Sequence, residues 1–490
     1  MGTDIHTAQF DADDYRRFSQ QLEANLQRLA ARLATPGFGA GPASLGAELE
    51  LYVVDPSGRP AHLNQELQAA ADDEQLTLEL NRYNLEYNLT PVALAAAPFL
   101  TLEEEICRKL GALRALAAQQ AAQVVPIGIL PTLRRDDFGP ACMTPKRRFA
   151  ALVAQLIARR GRHFTVNING LHPLQLAMDD ITLEGANTSF QVHYRVAPER
   201  FADVFNAIQA VTPLALAVAG NSPTLFGHSL WQETRIPLFK QSIDTRLPDR
   251  YSWKEPARVN FGQGWVRRDA LELFAEAVRL YQPLLPVCAE EVDGPAADEL
   301  RALQLHQSTV WLWSRPVYDA AAGGHLRIEM RALPAGPTAA DMVANAAFLI
   351  GMTEGLQPRL QHWLPALPFP IAEHNFYRAA QEGLSARLVW PRPQQTVCEE
   401  QPAAALVAAM LPVARRGLEA IGIAAAESDR YLGIIEQRLA SGQTGARWQL
   451  SRLGQAQPGV QRPDFDQLRD MLEAYRLRSE SNTPVAEWTP

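Results

Sequence analysis

Leu45-Gly46-Ala47-Glu48-Leu49-Glu50-Leu51-Tyr52-Val53-Val54-Asp55 is the stretch whose reading decides the fold. Side chains of an extended strand point alternately to its two faces. Leu45, Ala47, Leu49, Leu51 and Val53 therefore take one face, and Gly46, Glu48, Glu50 and Tyr52 the other. Pro56-Ser57-Gly58 follows with turn residues that end the strand. Glutamate is depleted in strands, and a carboxylate withdrawn from water is costly unless a cation offsets it. Two glutamates on one face of an otherwise apolar strand raise the question of what lies opposite them.

The pattern recurs. Leu76–Leu80 carries Glu79, and Tyr83–Leu89 sets Glu86 beside Asn84 and Asn88. In Thr188–Val196, Ser189, Gln191, His193 and Arg195 oppose Phe190, Val192, Tyr194 and Val196. In Leu326–Leu333, Arg327, Glu329 and Arg331 oppose Leu326, Ile328 and Met330. One face of an antiparallel sheet is often solvated, so any single strand of this kind reads first as surface. Together, however, the faces hold carboxylates, a histidine, amides and arginines, not the Lys and Thr of an exposed sheet. Divalent cations take oxygen ligands and phosphate takes guanidinium forks, so this set suits a metal–phosphate site. A polar sheet face lining a cleft satisfies both readings.

Around these strands the periodicity predicts helices over Asp11–Leu33, Thr101–Gln120, Pro145–Arg160, Pro198–Ala219, Leu271–Leu285 and Thr338–Leu360. Thr101 with Glu104, and Thr338 with Asp341, have capping-box spacing, and Thr212-Pro213 is expected to bend or restart its helix. Val124–Leu130 and Phe164–Asn169 read as further strands. Trp311 and Trp313 fit helix packing near Trp231 and Trp253 as well as substrate stacking. Lys146-Arg147-Arg148 and Arg159-Arg160 read as solvated helix faces. The proline-rich Pro365–Pro393 reads as a lid or linker, and the chain beyond Glu399 as helical to about Leu453. Strands arriving singly and in hairpins among helices define an α+β fold with a mostly antiparallel sheet. The expected division is a catalytic domain over 1–395 and a helical C-terminal extension over 396–490.

With 490 residues, 47% of them hydrophobic, the chain can bury a sizeable core. A net charge of -8 argues against nucleic-acid partners, because no basic excess exists to neutralise phosphates. The N-terminus lacks the basic-then-apolar order of a signal peptide, and the longest apolar candidate, around Ala215–Gly220, falls short of the roughly 20 residues of a membrane helix. Cys107, Cys142, Cys288 and Cys398 are far apart and form no C-x-x-C pair. A cytoplasmic protein without a disulfide framework is expected.

Five blocks carry a family resemblance, in order: Gly46-Ala47-Glu48-Leu49-Glu50-Leu51, Asn84-Leu85-Glu86-Tyr87-Asn88-Leu89-Thr90-Pro91, Thr188-Ser189-Phe190-Gln191-Val192-His193, Gly220-Asn221-Ser222-Pro223-Thr224-Leu225-Phe226-Gly227 followed by Arg235, and Arg327-Ile328-Glu329-Met330-Arg331. Together they resemble the glutamate–cysteine ligase type 2 and carboxylate–amine ligase family over roughly Leu45 to Leu360. The resemblance implies the glutamine-synthetase-like fold, whose curved antiparallel sheet forms a funnel for ATP, divalent ions and an amino acid. It implies that ATP phosphorylates a carboxylate, of glutamate or a similar amino acid, and that an amine then forms the amide. Glu48, Glu50, Glu86, His193 and Glu329 would hold two or three Mg²⁺ or Mn²⁺ ions, with Glu79 a further candidate; the histidine suits Mn²⁺ better. Arg331, Gln191 and Asn221 would contact the nucleotide. Arg331 and Arg235 would serve catalysis, Arg235 by stabilising the acyl phosphate or gripping a substrate carboxylate. No membrane partner is expected, and a homo-oligomer is left open. Two other readings share the fold: a phosphotransferase to a guanidino or amine group, and a non-catalytic regulatory protein. Gly227–Arg235 lacks the Thr-Gly pair often found there in carboxylate–amine ligases, and extra C-terminal helices are present, so the substrate stays open.

Overall fold

The alternation of Leu45–Asp55 is realised in β1 (Ser44–Val54), where Leu45, Ala47, Leu49, Leu51 and Val53 are all buried. The computed structural model describes residues 9–247, 256–288, 299–391, 398–455 and 459–489. Strand β1 is central to an eight-stranded sheet with β2 (Leu76–Leu78), β3 (Asn84–Asn88), β4 (Val92–Ala93), β5 (Gln123–Val125), β6 (Phe190–Val196), β7 (Ser314–Asp319) and β8 (His325–Met330). The order is β7-β8-β6-β1-β3-β2, with β4 and β5 also on β1, and every pairing is antiparallel.

Register decides which polar side chains become neighbours. Glu50 lies opposite Glu86, and Glu86 opposite Thr77. Glu48 lies between Asn88 and Gln191. His193 lies opposite Glu329, which lies opposite Arg315. Because side chains alternate with period two, a one-residue slip of any strand would bury carboxylates in the apolar layer.

That apolar layer joins Leu45, Leu49, Phe190, Val192, Tyr194, Leu326, Ile328 and Met330 to one core with most of the flanking helices, while the last two of those helices pack in a second cluster. In chain order these are α1 (Ala12–Leu33), α2 (Pro98–Gln119), α3 (Arg147–Arg160), α4 (Phe201–Ala219), α5 (Arg235–Ser242), α6 (Arg301–Gln307), α7 (Ala339–Leu356), α8 (Phe369–Glu382), α9 (Ala403–Ala420), α10 (Ala425–Ser441), α11 (Gly445–Arg452) and α12 (Phe465–Glu480). Helix α4 runs through Pro213 and is buried along nearly its whole length. With the turn before it, Pro198–Ala219 is long and apolar enough to cross a membrane by composition, a longer apolar segment than the sequence suggested. Its burial among α7, α8 and α9 makes it a core helix.

Several local readings are corrected. Helix α2 starts a turn early, at Pro98, and Thr101 Oγ1 donates back to Ala97 O at 3.0 Å. Its free amide at Leu100 is capped by Glu427 Oε1 at 2.7 Å, so a residue 327 positions away replaces the local capping box. Of Val124–Leu130 only its first residues pair, in β5. Helix formation after Leu271 ends at Leu280. Phe164–Ile168 finds its partner in Leu174–Met178, a strand the sequence reading passed over. Trp311 belongs to a short strand, Trp311–Leu312, and Trp313 follows it at the edge of β7, so neither sits on a helix; Trp253 lies outside the described residues. Within Pro365–Pro393, α8 and the strand Arg387–Pro391 are folded parts of the core, and Pro393 lies outside the described residues.

The expected boundary between 395 and 396 also falls outside the described residues. Helices α9 and α10 beyond it share the main core, α11 and α12 pack in a second apolar cluster with Tyr52, Val125 and Ile127, and α9 lies so close to α7 that only glycine fits the contact. A Cβ on Gly417 would stand 2.0 Å from Gly351 O, and one on Gly355 2.1 Å from Val413 O. Gly417→Ala is therefore expected to destabilise the fold by at least about 1–3 kcal/mol, the usual cost of overpacking, read as a lower denaturation midpoint. An unchanged midpoint would mean that the two helices can separate freely.

Candidate active site

The polar face of the sheet forms one wall of a cleft of about 1060 Å³. Glu48 and Glu50 from β1, Glu86 from β3, Gln191 and His193 from β6 and Glu329 from β8 all line it, with Glu79 and Arg331 just beyond β2 and β8. The sheet thus gathers every metal-ligand candidate named from the sequence. His193 Nε2 is 3.0 Å from Glu48 Oε1 and 3.8 Å from Glu329 Oε1. One ligand atom from each of the three lies within 4.8 Å of the others, a spacing that one cation can bridge. His193 Nε2 is buried and lacks a well-aligned hydrogen-bond partner. The residues present therefore fit a divalent ion: two carboxylates and an imidazole nitrogen that the protein leaves unmet.

Second to the ligands comes what holds them. Glu50 accepts from Ser189 N at 2.6 Å, Ser189 Oγ at 3.0 Å and Gln191 Nε2 at 3.0 Å. Gln191 Oε1 in turn accepts from Arg331 Nη1. Glu329, 1% exposed, is gripped by Arg315 through Nε at 2.5 Å and Nη2 at 2.8 Å, and Arg331 Nη1 is 3.4 Å away. Arg327 Nε donates to His193 Nδ1 at 3.2 Å while its Nη1 holds Asp319 at 2.8 Å. Glu86 Oε1 accepts from Asn88 Nδ2 at 3.0 Å and Thr77 Oγ1 at 3.2 Å.

These surroundings split the carboxylates into two groups. Burial opposes ionisation of Glu329, but Arg315, Arg331 and His193 outweigh it and hold the group well below the ordinary range. Burial likewise works against Glu48, yet His193 and Arg331 keep it below the ordinary value. Elsewhere burial wins. It raises Glu50 despite Arg331. Burial, with Glu48, Glu79 and Glu50 close by, pushes Glu86 well above its usual range. Glu79 is pushed up to about 8 by burial, then Glu50 and Glu184, and Glu184 to about 7 by burial and Glu50. Crowded carboxylates of this kind lack positive charge, which divalent cations would supply.

Two of the residues named from the sequence do not reach the cleft. Arg235 begins α5, is 2% exposed, and spends its guanidinium on Glu233 Oε2 at 3.0 Å and Ala332 O at 2.6 Å. Asn221 is buried, with Nδ2 donating to Ala335 O at 2.7 Å and Tyr475 Oη at 2.8 Å, and Oδ1 accepting from Gln449 Nε2 at 2.9 Å. Neither is among the residues lining the cleft, and the polar atoms named above are engaged inside the protein. They tie the loop and α5 to α11, α12 and the strand-end at Ala332–Ala335.

Other residues come to the cleft unannounced. Glu184 lies in a single helical turn, Thr182–Ala186, with no period-two pattern to mark it. Arg315 sits on β7, which Pro316 disguises; proline is tolerated there because β7 is an edge strand. Lys146 and Arg147, exposed as the solvated-face reading expects, and half-buried Arg148 open α3 and also line the cleft. Burial and neighbouring Arg315 lower Arg148. Arg160 is likewise buried, donating to His163 O and Asp244 O at 3.1 Å each.

Residues 44–470 match the family model described as glutamate-cysteine ligase family 2. A search of curated proteins by sequence gives no match. Among solved structures, a glutamate–cysteine ligase from Francisella tularensis in complex with AMP is similar at a TM-score of 0.51 and 12% identity, over 92% of this chain and 96% of that one. A bifunctional glutathione synthetase from Pasteurella multocida aligns at a TM-score of 0.45 and 10% identity, over 94% of this chain and 55% of that one. The first likeness supports the glutamine-synthetase-like fold, and the second is too loose to add to it.

Proposed function

The chain belongs to glutamate-cysteine ligase family 2, and from that premise we propose that it is an ATP-dependent carboxylate–amine ligase. One observation carries the reading: six glutamates, His193 and Arg331 line one cleft, and Glu48, His193 and Glu329 among them have the spacing of a divalent-cation site. The reaction transfers the γ-phosphoryl group of ATP to a carboxylate oxygen, releasing ADP. An amine nitrogen then attacks the acyl carbon, the phosphate leaves with the former carboxylate oxygen, and the amide forms. Glutamate or a similar amino acid is the proposed carboxyl donor.

Glu48, His193 and Glu329 would hold one ion, and Glu50 and Glu86 further ions. Bound Mg²⁺ or Mn²⁺ would neutralise the triphosphate and stabilise charge on the transferring group. Arg331 faces Glu329, Glu50, Glu48 and Glu86, which together outweigh burial and keep it firmly protonated. It is placed to meet phosphate oxygens, and Gln191 fixes it relative to Glu50. Lys146, Arg147 and Arg148 supply positive charge from the other wall.

ADP release from ATP with Mg²⁺ or Mn²⁺, measured across amino acids singly and in pairs, tests the function. A ligase needs both a carboxylate and an amine for full turnover, and the expected result is stimulation by a pair. Absence of stimulation by any pair, with no nucleotide binding by calorimetry, contradicts it.

A pH dependence follows from Glu79 and Glu184. Both are raised, so both carry protons in the metal-free fold at pH values where the unfolded chain has lost them. Their contribution to stability is full below about pH 4.5 and is lost as pH rises through about 7 and 8. The metal-free protein should therefore melt at lower temperature at pH 8.5 than at pH 6, and Mn²⁺ should reverse the loss. Titration with Mn²⁺ near pH 7 should release protons, seen as a buffer-dependent binding enthalpy. A buffer-independent enthalpy would place the ions away from these carboxyls.

A further inference from the structure

Gln307 ends α6, is 6% exposed, and is one of the residues that line the cleft. Among the described residues neither its Oε1 nor its Nε2 has a hydrogen-bond partner. His193 Nε2 and Arg331 Nε are the other buried cleft-lining atoms in that state, and both belong to the metal and phosphate cluster. Gln307 carries no charge and is not one of the ion-pairing residues of that cluster. An amide buried with both halves unmet is a cost to the fold, and such groups persist where something outside the chain satisfies them.

The amide offers one acceptor and one donor side by side in a plane. Its complement is a flat edge with a donor next to an acceptor. The adenine ring has that edge, an exocyclic amino group beside a ring nitrogen, and glutamine meets both atoms at once. The neighbourhood suits a base: Phe149, Leu152, Phe274, Leu303 and Trp311 line the same cleft. Aromatic and aliphatic side chains of this kind favour a flat heterocycle.

Arg315 connects this end of the cleft to the charged end. Its Nη1 donates to the Gln307 main-chain carbonyl at 3.3 Å while Nε and Nη2 hold Glu329. The Gln307 backbone is thereby held next to the arginine that grips Glu329. We infer that Gln307 is the residue that selects adenine, with the base held at α6 and Trp311 and the phosphates directed toward Glu329 and Arg331. This inference rests on the ATP-dependent reading and names the base-recognising group within it.

The test is calorimetric binding of three Mn²⁺-loaded diphosphates to the full chain: ADP, GDP and the diphosphate of unsubstituted purine riboside. Wild type should bind ADP at least about tenfold tighter than either analogue, a modest floor for a site built to hydrogen-bond its ligand. Gln307→Met keeps the volume and removes both polar atoms, and should bring the three affinities within about threefold of one another, chiefly by weakening ADP. Its melting temperature without nucleotide should match or exceed that of wild type, because an unmet amide has left the interior; this separates lost recognition from lost folding. Gln307→Glu, which keeps the acceptor and loses the donor, should weaken ADP as well. Undiminished ADP preference in Gln307→Met, or a wild-type preference for GDP, overturns the inference and leaves the ligase reading standing. Failure of wild type to bind any of the three overturns the ATP-dependent reading, and this inference with it.

Discussion

Glu329→Gln is expected to lower ADP release by more than about a hundredfold while leaving the protein folded. Loss of a group that merely supports a metal ligand costs roughly 10–100-fold, and Glu329 is proposed as a ligand itself. It shares the three-residue cluster with Glu48 and His193, and it is the most deeply buried of the three, at 1% exposed. Arg315 and Arg331 keep it ionised, so a strong anionic donor stands ready at neutral pH. Glutamine preserves the shape and one acceptor for Arg315, which should retain the fold at reduced stability, and relieves repulsion on Glu48. The loss should therefore appear in Mn²⁺ affinity and turnover, measured by titration calorimetry and a coupled ADP assay. Unchanged Mn²⁺ affinity would remove Glu329 from the metal set.

Arg235→Gln is expected to destabilise the protein by about 3–5 kcal/mol, the typical cost of stripping one partner from a buried ion pair. Its partner Glu233 is 0% exposed, and burial already pushes that carboxyl up against the pull of Arg235. Without the guanidinium, Glu233 must take a proton or remain charged in the interior. Chemical denaturation reads the effect. A double replacement, Arg235→Met with Glu233→Leu, should recover much of the loss, because removing both charges also removes the orphan. An Arg235→Gln protein with wild-type stability and abolished turnover would instead return Arg235 to the reacting centre.

That contrast marks what the chain announces before folding. Glu48, Glu50, Glu86, His193 and Glu329 were legible because a strand repeats every two residues and each stands on the polar side of an apolar strand. Sheet order was not legible in that pattern, yet the register brings all five together. Arg235 and Asn221 were legible as motif positions and not as orientations. Whether a polar residue faces a ligand or the interior depends on distant partners, and Asn221 meets Tyr475, 254 positions away. Glu184 and Gln307 were illegible for a related reason, since a single helical turn and a helix end carry no face-defining repeat. Arg315 was hidden by Pro316, which reads as a strand breaker until the edge position is known.

Activation of a carboxylate by phosphorylation in this cleft would leave an isotopic record. The direct measurement uses a carboxyl donor labelled with ¹⁸O in both carboxylate oxygens, turned over with ATP, Mn²⁺ and the amine that gives the strongest ADP release. An acyl-phosphate route places one labelled oxygen in the released inorganic phosphate, one per amide formed. Unlabelled phosphate, or ADP formation with the phosphoryl group left on nitrogen and no inorganic phosphate released, would contradict it.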